Sequence, residues 1–191
     1  MKPRTWISLL AFVSLIAAPV HAEDSPKEIA EKQGKTRKMA ADTLKDLYKY
    51  EPAAQALVQK SAGYAVFDNM GTNLLVLSTA RGGGIAVNAK SKQETFMKMV
   101  SAGAGLGIGV KDYRVVFVFA TAGALGQFMT SGWAAGGQTD AAAKAGEKGG
   151  AYSGAVEVAP GVWVYQITKN GVALQLTLQG TKYTKDDDLN K

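Results

Sequence analysis

The residue types that most often carry chemistry are scarce in this sequence. Its 191 residues include one histidine and no cysteine. Without thiols there is no disulfide framework, no cysteine nucleophile and no thiolate metal site. A few spacings still invite a test. Gly103-Ala-Gly-Leu-Gly-Ile-Gly109 comes near a dinucleotide fingerprint, in which glycines let the backbone approach a pyrophosphate. Ile108 stands where the third glycine is needed, and a β-prone run follows instead of a helix. Lys90-Ser91 lacks the preceding glycine of a phosphate loop, since Ala89 stands there. Gly150-Ala-Tyr-Ser153-Gly154 is one residue out of step with a nucleophile elbow. Thr95-x-x-Lys98 has the spacing of a hydroxyl–lysine pair. Asp186, Asp188 and Asn190 match the first three ligand positions of an EF-hand loop, but the glycine and bidentate glutamate it needs do not follow. The bland reading of that stretch is a solvated, loosely held tail. The expectation is a binding protein and not an enzyme, with no catalytic residue, metal or cofactor.

Charge gives a more definite lead. The chain has 22 Lys+Arg against 16 Asp+Glu, a net +6. Between residues 81 and 114 stand Arg81, Lys90, Lys92, Lys98, Lys111 and Arg114, opposed only by Glu94 and Asp112. Such a surplus suits an anionic partner. Trp133 and Trp163 are candidate interfacial anchors, with core packing as their competing use. These eight are the candidate ligand-binding residues.

The start of the chain reads as an address. Lys2 and Arg4 precede an apolar stretch from Trp6 to Ala18, which is too short to span a bilayer. Val20-His21-Ala22 fits the small-x-small cleavage rule, giving a signal peptide over residues 1–22 and one domain over 23–191. Cleavage would remove the single histidine, and with it Ser-His-Asp catalysis and any histidine-ligated metal. Beyond it, Val115 to Ala120 is the longest strongly apolar run. The expected product is exported to the periplasm. That setting argues against nucleic acid and for an anionic phospholipid or membrane surface. The alternative is an envelope-integrity or scaffolding protein acting through protein contacts, for which Gly103, Gly105, Gly107 and Gly109 would supply a smooth strand face.

These residues need a frame. Ser25-x-x-Glu28 with Pro26 predicts a capped helix from Pro26 to Tyr50, amphipathic but neutral, followed by a short helix from Pro52 to Lys60. Strands are expected at Tyr64–Phe67, Asn73–Thr79, Ile85–Val87, 102–110 and Tyr113–Ala120. Gly82-Gly83-Gly84 is expected as a turn and Gln93–Val100 as a helical turn or irregular strand. A hairpin is expected between 102–110 and 113–120, with Asp112 at its turn. A short helix covers Ala122–Thr130. Further strands are expected at 132–142, 151–158, 162–168 and 172–178, with residues 143–150 as a loop. Asn170-Gly171 marks a hairpin. The result is an α+β fold: a mostly antiparallel, barrel-like sheet of about eight short strands, with the N-terminal amphipathic helix packed against it.

The order of these segments resembles the SYLF lipid-binding domain over roughly residues 40–185. The resemblance rests on Ala62-Gly-Tyr-Ala-Val-Phe67, Arg81-Gly-Gly-Gly-Ile-Ala86, Ser101-Ala-Gly-Ala-Gly-Leu-Gly-Ile-Gly-Val110 and Val115-Val-Phe-Val-Phe119. Gly171-Val-Ala-Leu-Gln175 and Leu178-Gln-Gly-Thr181 are similar to its closing segment. Asp68 stands where many members carry proline. The resemblance implies a barrel-like sheet with helices against it and an affinity for phospholipid headgroups. Eukaryotic members are linked to phosphoinositides and, in some fungi, to actin. The match is with short bacterial envelope members, and the family supplies no catalytic residues.

Overall fold

Ser25 fixes where the first helix begins. Its Oγ accepts the Glu28 N–H at 3.4 Å, and the Glu28 carboxylate accepts the Ser25 N–H at 2.8 Å. This reciprocal cap sets α1 at Pro26–Tyr50. Glu51 ends it, and Pro52, which has no N–H to satisfy, opens α2 at Pro52–Lys60. The computed structural model describes residues 24–74, 77–104, 112–135, 154–168, 171–173 and 180–191. The expected leader, Lys111, the 143–150 loop and the expected strand segments at 105–110, 136–142, 151–153 and 174–178 lie outside these residues.

The strands are β1 (Gly63–Leu74), β2 (Leu77–Asn88), β3 (Glu94–Ala104) and β4 (Asp112–Phe119), then α3 (Ala122–Ser131). After α3 come β5 (Trp133–Ala134), β6 (Val156–Ala159), β7 (Val162–Thr168), β8 (Gly171–Ala173) and β9 (Thr181–Lys185). Among the described residues they form one antiparallel sheet in the order β5-β9-β3-β2-β1-β4-β7-β6, with β8 also on β7. It is a half-barrel, and the α+β class expected from sequence is the class observed.

Several local expectations differ from the structure. The run 73–79 is not one strand: its first residues end β1 and its last begin β2, which pair as far as Leu74 and Leu77. Of the run Gln93–Val100, residues 94–100 are neither helical nor irregular but the regular first part of β3. Among the described residues the expected hairpin onto Tyr113–Ala120 is not seen: β4 is flanked by β1 and β7. Asp112 begins β4 instead of turning into it. The hairpin around Asn170-Gly171 is present, with Thr168 paired to Gly171.

Gly82-Gly83-Gly84 lies inside β2, not at a turn. A Cβ on Gly82 would run into the Asp68 carbonyl, and one on Gly84 into the Phe67 ring. The glycines there let β2 approach β1 closely. Gly83, between them, faces open space.

Alternation along each strand splits the interior into two cores. Ala65, Phe67, Met97, Met99, Val115, Phe117, Phe119 and Tyr183 face α3, with Leu125, Phe128 and Met129 packed on them. Phe117 lies 5.0 Å from Tyr183 and 5.1 Å from Phe128, ring centre to ring centre. On the other face Val66, Ile85, Phe96, Val116, Val118 and Tyr165 lie under Ala40 and Leu47 of α1 and Ala54, Leu57 and Val58 of α2. The neutral helix therefore covers the sheet.

The C-terminal tail is tied down, contrary to the loose end expected. The Asp186 N–H donates to the Phe96 carbonyl at 3.0 Å, and Asn190 Oδ1 accepts the Phe96 N–H at 3.0 Å. Gln33 of α1 donates to the Leu189 carbonyl at 2.9 Å. Asp186 Oδ1 accepts the backbone N–H groups of Asp188 and Leu189, so this carboxylate is spent on local turn bonds.

Two outcomes follow for stability. Gly82→Ala should destabilise the fold by about 1–3 kcal/mol, the usual cost of overpacking, while Gly83→Ala should be near neutral; denaturant unfolding checks both. The second outcome concerns pH. Burial, with a smaller contribution from neighbouring Tyr64, pushes the Tyr48 phenol from 10.0 up to about 12. Below pH 10 folded and unfolded chains both keep this proton, and its contribution is complete. Above it the unfolded chain ionises first, so stability should fall as pH rises from 10 toward 12. Tyr48→Phe should shallow that decline, though burial raises Tyr64, Tyr113 and Tyr183 as well.

Candidate functional site

Strand register decides which of the expected cations meet. On β2, Arg81 has the parity of Ile85 and so points to the α1 face of the sheet. On β3, Lys98 and Val100 have the parity of Phe96 and point the same way. Val100 is paired to Arg81 on one side and to Lys182 of β9 on the other. Lys98 is two residues back along β3. Directly opposed side chains on one face are separated by about 5 Å, so Arg81, Lys98 and Lys182 form a ring of cations around Val100.

This part of the face is open among the described residues. The tail covers Phe96 with Leu189 and Asn190, and Lys98 is the next outward-facing residue beyond it. Val100 is 49% exposed, one of only two large apolar side chains described as exposed. Arg81, Lys98 and Lys182 are all exposed, and none has an ion-pair partner among the described residues. The acids closest to them in the register are engaged elsewhere. Asp186 Oδ1 accepts the N–H groups of Asp188 and Leu189, Asp68 lies 3.8 Å from Arg114, and Glu94 takes Arg37 at 2.7 Å.

The remaining expected residues are placed apart from this ring. Lys90 and Lys92 belong to the β2–β3 turn, where Asn88 Oδ1 accepts the N–H groups of Lys90 and Ser91 at 3.0 and 2.9 Å. Lys92 adopts φ +59, the left-handed conformation that closes this turn. At ~3.3 Å per residue it stands on the order of 20 Å from Lys98. Arg114 lies on the α1 face of β4 between two carboxylates, 3.7 Å from Asp46 and 3.8 Å from Asp68. Lys111 is outside the described residues. Trp133 packs in the α3-side core, 5.6 Å from the Phe117 ring and 5.9 Å from Tyr183. Trp163 is half-buried against the opposite core. Both tryptophans are therefore in the packing role.

Sequence reasoning missed Val100 and Lys182. The alternation of Thr181-Lys-Tyr-Thr-Lys185 sends Lys182 outward while Thr181 and Tyr183 are buried. What the alternation does not reveal is that β9 pairs with β3. That pairing is the long-range fact that completes the ring.

Chemically, the ring offers N–H donors to anionic oxygens, with an apolar side chain at its centre. Arginine presents a planar fork and lysine a compact charge, and both suit phosphate. The groups are exposed, so salt screens them. A hydroxyl–lysine catalytic pair is excluded at Thr95 and Lys98. Thr95 is buried on the α3 side, and Lys98 is on the opposite face of the same strand. Among the described residues no cluster of acidic or histidine side chains could hold a metal ion.

Two comparisons place the chain among known proteins. Residues 100–191 match the family described as Ysc84, Las17-binding protein actin regulator. The match begins at Val100, later than the span from about residue 40 that the sequence resemblance covered. The chain is also 36% identical over 169 residues to Beta cell expansion factor A of Aeromonas veronii, covering 87% of this chain. It spans 62% of the length of that relative. The matched family region contains β4, α3 and the closing strands that carry the α3-side core, together with Val100 and Lys182 of the cationic ring. It is a family of binding domains. Over residues 100–191 the chain is similar to the Ysc84, or SYLF, domain family.

Proposed function

We propose that this protein is a non-enzymatic binder of anionic phospholipid surfaces, acting in the bacterial cell envelope. The observation that carries this reading is the ring of Arg81, Lys98 and Lys182 around the exposed Val100. Each cation near an anionic surface contributes about 1 kcal/mol. Three of them, with one inserted apolar side chain, give reversible attachment and not anchoring. Similarity to this family over residues 100–191 supports the reading in a coarse way, since it points to lipid- or actin-related binding. The N-terminal leader expected from Lys2 to Ala22 directs the chain to the periplasm, where anionic lipid is at hand and actin is not. No helix among the described residues is long and apolar enough to cross a membrane.

The test is co-sedimentation of residues 23–191 with phosphatidylglycerol-containing vesicles, varying the anionic fraction and the salt. Binding should rise with anionic lipid and fall with salt. The triple variant Arg81→Glu, Lys98→Glu, Lys182→Glu should lose tenfold or more of its vesicle partitioning, while Lys90→Glu with Lys92→Glu should change it little. A triple variant that binds like the parent, or binding that ignores vesicle charge, would remove the proposal and send attention to protein partners.

A further inference from the structure

A groove of about 380 Å³ lies between α1 and strands β1–β3. That volume is within the usual range of small-ligand sites, roughly 300–1,000 Å³. Its floor is aliphatic, formed by Leu44 of α1 and by Ile85 and Val87 of β2. One end is closed by Arg37 and Glu94, which neutralise each other at 2.7 Å. The Arg37 guanidinium also sits 5.0 Å from the centre of the Phe96 ring, which holds it in place. Along the rim stand the half-buried Tyr48 and Tyr64 and, exposed, Lys45.

Lys45 sets the sign of the site. It makes no ion pair among the described residues. Asp46, the next residue on α1, faces Arg114 at 3.7 Å, and Asp42, three residues earlier, is held by Lys38 at 2.5 Å. With Arg37 and Glu94 cancelling, the groove carries one positive charge without an ion pair, beside an aliphatic floor. Two phenol hydroxyls near it can donate further hydrogen bonds.

We propose that this groove binds a single-chain aliphatic amphiphile with an anionic head, the chain lying over Leu44, Ile85 and Val87 and the head meeting Lys45. A cationic head would be repelled by Lys45 and would find Glu94 already taken. A carboxylate and a phosphate monoester share the required head chemistry. The site uses none of the residues of the cationic ring, so it stands or falls independently of the vesicle-binding reading.

The experiment is calorimetric titration of the full chain with decanoate, decyl phosphate and decyltrimethylammonium, each below its micellar concentration. At least one of the two anions should bind saturably at one site, and which one binds assigns the head. The cation should not bind. Lys45→Glu should weaken binding tenfold or more. Ala41→Trp, at an exposed α1 position lining the groove, should abolish it by filling the mouth, with circular dichroism verifying the fold. The triple ring variant should bind the anion as the parent does. Absence of saturable binding by either anion, equal binding of the cation, or unchanged binding by a folded Ala41→Trp protein would each overturn the proposal.

Discussion

Strand β4 sets the constraint that the rest of the structure answers. Val115, Val116, Phe117 and Val118 are fully buried and Phe119 is 1% exposed. A strand that hides consecutive residues must be covered on both faces. Val115, Phe117 and Phe119 are covered by α3 and the aromatic cluster, Val116 and Val118 by α1 and α2. At about 1.5–3 kcal/mol per large buried side chain, these five residues represent on the order of 10 kcal/mol of gross stabilisation, comparable to the whole net stability of a domain. Detaching α1 would expose Leu47, Val66, Val116 and Val118 together. The helix is thereby committed to the sheet, and its balanced charges fit that structural task.

The same arrangement explains where a binding surface remains. The helical cover follows the buried rows and the tail extends it over Phe96, but nothing described extends it to Val100. Where cover stops, the face carries Arg81, Lys98 and Lys182. Several cations elsewhere on the protein are paired: Lys32 with Asp24, Lys35 with Glu31, Arg37 with Glu94, Arg114 with Asp46 and Asp68. Exposed pairs of this kind add little stability, but they cancel the local field. Arg81, Lys98 and Lys182 have no such partner among the described residues and stand together on one face, so their field is available to an outside anion.

What was legible in the sequence were features set by local chemistry. The capping box fixed the start of α1, Pro52 the start of α2, and Asn170-Gly171 the β7–β8 hairpin. The apolar run from Val115 to Ala120 marked a strand, observed as β4. Features set by distant pairing were not legible. Gly82-Gly83-Gly84 carries the composition of a turn, yet its glycines serve a close strand approach visible only with β1 alongside. The tail has the composition of a loose end, yet Asn190 finds the backbone of Phe96. In the cationic region, net charge singled out the stretch 81–114 but not its division between faces. Two-residue periodicity places Arg81 and Lys98 on one face, the turn carries Lys90 and Lys92 away, and Arg114 meets two carboxylates. Lys182 joins only because the chain returns to pair β9 with β3.

The absence of cysteine makes a direct test clean. A single Val100→Cys variant can be labelled with an environment-sensitive fluorophore and mixed with anionic vesicles, beside a Ser91→Cys variant labelled at the far turn. Contact through the cationic ring predicts a blue shift at residue 100, quenching there by lipid-borne quenchers, and little change at residue 91. A response at residue 91 with silence at residue 100 would contradict the account and place the contact at the β2–β3 turn.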